Sequence, residues 1–143
     1  MRSRRTLRLL LLAAALAFVP AALAKEFEPG DLRLCNADRC VAVMDQGALT
    51  ALGAFYYGSR KPPRILRPPL GVPYYELRFT NAYATGIVAT SRLDRFLSYG
   101  VNLGQFARGR WYRVPTRAAV ELRRLSGSLE PLRLTRAAIR KSR

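Results

Sequence analysis

The sequence predicts an α+β fold: an antiparallel sheet of about five or six strands covered by one or two helices, with an N-terminal signal helix outside the domain. Three observations lead there. Several short stretches alternate apolar and polar residues, the period at which a strand buries one face. Others repeat apolar residues every three or four positions, as a helix lying on a core does. Two cysteines with four residues between them sit between alternating aliphatics, which marks a tight hairpin at the start of the domain.

The N-terminus has the order of a secretory signal. Arg2, Arg4, Arg5 and Arg8 precede an apolar run from Leu9 to Val19, followed by Pro20 and the triplet Ala22, Leu23, Ala24. A basic region, an apolar core and a small-residue cleavage motif follow one another in that order. The core is about a dozen residues, whereas a membrane-spanning helix needs roughly 20. Cleavage after Ala24 is therefore expected. The alternative is an uncleaved anchor, since Leu7 to Leu23 is long enough for a thinned bilayer. Ser3-Arg4-Arg5-Thr6-Leu7 partly matches a twin-arginine signal, but the short basic region and Leu-rich core fit the general secretory route better. The expected organisation is a signal peptide over 1–24, one globular domain over 25–130 and a basic tail over 131–143. The expected location is secreted or in the cell envelope.

Charge narrows the partners. Residues 1–24 hold four of the 25 basic residues and none of the nine acidic ones, which leaves 21 against nine, a net +12. A field of that size favours anionic partners without choosing among them. For an exported chain these are an anionic envelope polymer, a lipid surface or a protein, with no specific nucleic acid expected.

Cys35 and Cys40 flank Asn36, Ala37, Asp38 and Arg39, with Leu32, Leu34, Val41 and Val43 outside them. If Cys35 faces Cys40, then Leu34 faces Val41 and Leu32 faces Val43. All four aliphatics then share one face, and the cysteines share the other with Arg33 and Ala42. Opposed residues at a non-hydrogen-bonded position lie close enough for a disulfide, and export keeps it oxidised. A redox motif would have two intervening residues and a helix N-terminus. Zinc needs about four Cys or His ligands, and this chain has two cysteines and no histidine.

Asp45 is placed to cap a helix running to Tyr57, with Leu49, Leu52 and Phe55 or Tyr56 on its buried face. Residues 58–73 carry five prolines and should form extended polyproline-like runs outside the sheet interior. Their cations Arg60, Lys61, Arg64 and Arg67 form the candidate anion-binding strip, unless the segment is a mere connector. Tyr75, Leu77 and Phe79 alternate with Glu76 and Arg78 and define a strand. A turn at Asn81 to Ala84 returns the chain along Thr85 to Thr90. Leu97, Tyr99, Val101 and Leu103 mark the next strand, and Trp111 to Val114 follows the Gly104 to Gly109 loop. Thr116 is the expected cap of a helix carrying Ala118, Leu122 and Leu125, stopped by Gly127. Beyond Pro131 the tail is basic and expected to be solvated, with Thr135 capping a last short helix. Leu132, Leu134, Ala138 and Ile139 give that tail only a thin apolar face for an anionic surface.

The absence of histidine removes Ser-His-Asp and Cys-His nucleophilic schemes. Asp38, Asp45, Glu76, Asp94, Glu121 and Glu130 leave carboxylate-pair hydrolysis as the alternative chemistry, although their spacing does not suggest it. The expectation is a monomeric, non-catalytic binding module with no cofactor and no metal. A protein inhibitor presenting the 58–73 loop is a further alternative.

Cys35 and Cys40, the Pro73-Tyr74-Tyr75 triplet before a strand and Trp111 before a final helix together resemble small exported proteins of high-GC bacteria that have no assigned activity. The resemblance covers most of the chain after residue 24 and rests on short motifs. It implies no catalytic residues and no particular fold.

Overall fold

The hairpin forms in the register that its aliphatics require. Strands β1 (Leu32–Cys35) and β2 (Cys40–Ala42) pair antiparallel, with Leu34 opposite Val41 and Cys35 opposite Cys40. The two cysteines are bonded, with Cα atoms 4.0 Å apart, close to the spacing of a non-hydrogen-bonded pair. Leu32, Leu34 and Val43 are fully buried and Val41 packs against them. Asn36 closes the tip: its Oδ1 accepts the N–H groups of Asp38 and Arg39 at 3.0 and 2.9 Å, and its Nδ2 donates to the carbonyl of Glu130 at 3.2 Å. The first hairpin is thereby tied to a residue more than 90 positions later.

The structure, a computed structural model, describes residues 27–58, 62–80, 84–100 and 109–141. The expected signal segment, Arg60, Lys61 and most of the expected Asn81 to Ala84 turn and Gly104 to Gly109 loop lie outside these residues. So do Val101 and Leu103 of the fifth expected strand.

Among the described residues one sheet of eight strands runs in the order β2-β1-β4-β5-β6-β7-β3. Its members are β3 (Arg64–Ile65), β4 (Pro73–Phe79), β5 (Ala84–Ala89), β6 (Arg95–Gly100), β7 (Trp111–Arg113) and β8 (Leu132–Arg133) besides the hairpin. All pairings are antiparallel, and β8 joins β4 beside the site where β1 does. The two strands beyond the expected six are β3 and β8, each two residues long, too short for alternation to reveal. β3 lies within the proline-rich segment and occupies an outer edge, where a missing backbone donor is tolerated.

Helix α1 (Gln46–Tyr57) starts as the sequence requires, with Asp45 Oδ1 accepting the N–H of Ala48 at 2.7 Å. Its Leu49, Leu52, Phe55 and Tyr56 are buried against one sheet face, together with Leu122 and Leu125 of α2 (Thr116–Ser126) and Tyr75, Leu77, Phe96 and Tyr112. The aromatic end of α1 is core. Tyr56 meets Phe79 and Phe96 edge-on at 4.8 and 5.4 Å, and Phe55 meets Phe96 at 5.7 Å. The Phe96 ring lies so close over Gly86 that any Cβ there would overlap it, which makes this strand glycine a packing requirement. The expected cap of α2 shifts by one residue. Pro115 takes the position with no side-chain hydrogen bond, and its carbonyl accepts the N–H of Ala119 at 2.9 Å. Proline's fixed φ suits the entry, so Thr116 becomes the first helical residue.

The C-terminal segment is not solvated as expected. Leu134 is 1% exposed and Ile139, on α3 (Arg136–Lys141), is 6% exposed. They pack on the second sheet face with Tyr74, Ile87, Leu97 and Trp111. Thr135 Oγ1 accepts the N–H of Ala138 at 3.0 Å, the cap its position implied. Helices therefore cover both faces, three in all among the described residues, rather than the expected one or two. None of them is long and apolar enough to cross a membrane.

Candidate anion-binding groove

The proline-rich segment is held at both ends. At its start Arg64 and Ile65 pair with Tyr112 and Trp111, and Arg113 donates its N–H to Pro63 O at 3.3 Å. At its end Gly71 turns with φ +84. Its N–H donates to Leu134 O at 2.8 Å, and Leu134 donates to Val72 O at 3.0 Å. Between these anchors Arg95 Nη1 donates to the Leu66 carbonyl at 3.3 Å. Two consecutive prolines, Pro68 and Pro69, stiffen what remains.

This arrangement encloses an open groove of about 690 Å³ lined by Arg64, Arg67, Arg95 and Arg113, with Ile65, Leu66, Pro68, Pro69 and Thr90. Two of the four expected anion-binding residues, Arg64 and Arg67, are thus brought together and are exposed. Arg95 and Arg113 join them. These two stand directly opposite each other on β6 and β7, a like-charge cross-strand pair that costs stability. Both flank strand stretches visible in the sequence, but their meeting depends on which strands are neighbours.

Asp94 is the carboxylate nearest this cluster in the chain, and it is divided. Its Oδ1 lies 3.9 Å from Arg95 Nε and accepts the Thr90 hydroxyl at 2.9 Å. Thr90 itself has φ +79, a left-handed conformation that a β-branched residue rarely adopts. The turn is retained by Thr90 N–H donating to Pro73 O at 2.9 Å and by the burial of Leu93. Among the described residues Arg64, Arg67 and Arg113 have no carboxylate within 4.0 Å. The groove carries an excess of fixed positive charge that an incoming anion would offset.

The acidic residues do not gather in a comparable way. Glu76 on β4 accepts from Arg78 Nε at 2.9 Å, Asp45 caps α1 and lies 3.7 Å from Arg117, and Asp38 and Glu130 are exposed on the two segments that Asn36 links. Glu121 is only 8% exposed. It accepts two hydrogen bonds from Arg124 at 2.8 and 2.7 Å. Those bonds, and next to them the carboxylate's charge, hold the Arg124 guanidinium above its ordinary pKa. Among the described residues no three or more Cys, Asp or Glu are grouped to hold a metal ion.

On its far side Arg113 also borders a second, mostly apolar depression of about 740 Å³ formed by Ala51, Ala54, Phe55, Pro62, Pro63 and Val114 with Pro115 and Thr116. The chain matches no protein family model, no curated protein and no solved structure.

Proposed function

We propose that this chain is an exported, non-catalytic binding module that uses its arginine groove to attach to an anionic component of the cell envelope. The observation that carries this reading is the convergence of Arg64, Arg67, Arg95 and Arg113 on one groove where, among the described residues, the one carboxylate within 4.0 Å of any of them, Asp94, is already engaged. Arginine suits such a role because its planar fork pairs with phosphate or carboxylate in two parallel hydrogen bonds. The anchored proline-rich wall supports it as well, since a segment ordered before binding loses little conformational entropy on contact. The signal-like N-terminus and the disulfide are compatible with a place outside the cytoplasm.

Sedimentation of the oxidised protein with isolated envelope fragments tests the proposal. Retention should fall by about tenfold or more between roughly 50 and 300 mM salt, because exposed charges are screened over that range. Replacing Arg64, Arg67, Arg95 and Arg113 by Gln together should abolish retention while circular dichroism stays unchanged. Salt-insensitive retention, or full retention by the quadruple variant, would remove the basis of this reading.

A further inference from the structure

The same segment that supplies two of the arginines also holds out two leucines. Leu66 is 86% exposed and Leu70 is 41% exposed, on either side of Arg67, Pro68 and Pro69. Single exposed apolar residues are ordinary on a protein surface; Met44, Tyr57 and Val120 are such cases, scattered over other elements. Leu66 and Leu70 differ because they share one stiff, anchored segment, of which Leu66 lines the cationic groove and Leu70 follows its last lining residue, Pro69. Leu66 is fixed there by its own backbone, through the bond from Arg95 to its carbonyl.

We infer that residues 64–70 dock on an anionic phospholipid surface, with Leu66 and Leu70 entering the headgroup region and Arg64, Arg67 and Arg113 contacting lipid phosphates. This rests on the anion-binding reading of the groove and names its partner. A soluble polyanion would satisfy the arginines and leave the leucines in water, whereas a membrane interface satisfies both. The groove is open, and Arg64, Leu66, Arg67 and Leu70 are all exposed along this one segment. The C-terminal segment does not compete for the role, since its apolar residues are spent on the sheet.

The test uses vesicles of phosphatidylcholine with about 30% phosphatidylglycerol, a strongly anionic surface, beside pure phosphatidylcholine vesicles and soluble inorganic polyphosphate. The wild-type protein should sediment with the anionic vesicles and not with the neutral ones. Leu66→Ser should weaken vesicle binding by about tenfold, the scale of one leucine side chain partly removed from water, and leave polyphosphate binding unchanged. Val120→Ser, a control on α2, should bind as wild type does. Replacing Arg64 and Arg67 by Gln should weaken both ligands. If Leu66→Ser binds vesicles like wild type while the arginine variant is impaired, the membrane assignment is overturned and the anion-binding reading stands. If the arginine variant binds both ligands normally, both fail.

Discussion

The two faces of the sheet are built to different standards. The first is covered by α1 and α2, long enough to bury a continuous core from Leu32 and Leu34 through Tyr75 and Phe96 to Leu122. The second is covered by one turn-length helix and a short extended run that contribute Leu134 and Ile139 over Trp111, Leu97 and Tyr74. Arg95 and Arg113 lie beside this second core, in strand register with one another, and Ile65, which packs against the core, also lines their groove. The difference separates tasks. Stability is concentrated where large aromatic and aliphatic side chains interlock, and an unfavourable concentration of positive charge is accommodated where the covering layer is thin.

Truncating one residue on each face gives the largest expected contrast. Leu122→Ala, fully buried between α2 and the sheet, should cost about 3 kcal/mol or more, because a long helix cannot collapse into the cavity left behind. Ile139→Ala should cost about 2 kcal/mol, since short α3 can settle toward the sheet. Urea unfolding midpoints measure both; equal losses would show that the two layers contribute alike.

An effect no larger than that of Ile139→Ala is expected at the sheet edge. Replacing Cys35 and Cys40 by Ser together should lower stability by about 2 kcal/mol, the entropy of closing so short a loop. The hairpin itself should persist, because β1 remains paired with β4 along Leu32 to Cys35. Comparison of oxidised wild type with the double variant by thermal unfolding checks the loss, and hydrogen exchange at Leu34 checks the persistence.

The smallest effect at neutral pH concerns Tyr56. Burial, and secondarily the neighbouring Tyr57, pushes its phenol well above the ordinary value of 10.0. The folded state therefore keeps this proton after the unfolded chain has lost it. Stability is unaffected below about pH 10 and declines as pH rises beyond it toward the folded value. Tyr56→Phe should flatten that decline, measured by urea unfolding at a series of alkaline pH values. An unchanged slope would place the alkaline sensitivity elsewhere than at Tyr56.

Much of the fold was legible because the information was local. Alternation at Tyr75, Leu77 and Phe79 located β4, Asp45 announced α1, and the cysteine spacing with its four aliphatics specified the hairpin register to the residue. The candidate site was only half legible. Arg64 and Arg67 stand out in a proline-rich run, whereas Arg95 and Arg113 are 18 positions apart and unremarkable in sequence.

The order of residues alone determined where six of the strands and the helices form, where the first hairpin crosslinks, and that the chain carries a large positive charge. Periodicity and spacing are properties of a few consecutive side chains and need no distant partner. Only the tertiary structure decided that the C-terminal segment closes the second face, that a proline-rich run ends as an edge strand, and that four arginines share one groove. Those outcomes depend on which strands become neighbours. Neighbour choice is made by the packing of the whole sheet, and no short window of sequence encodes it.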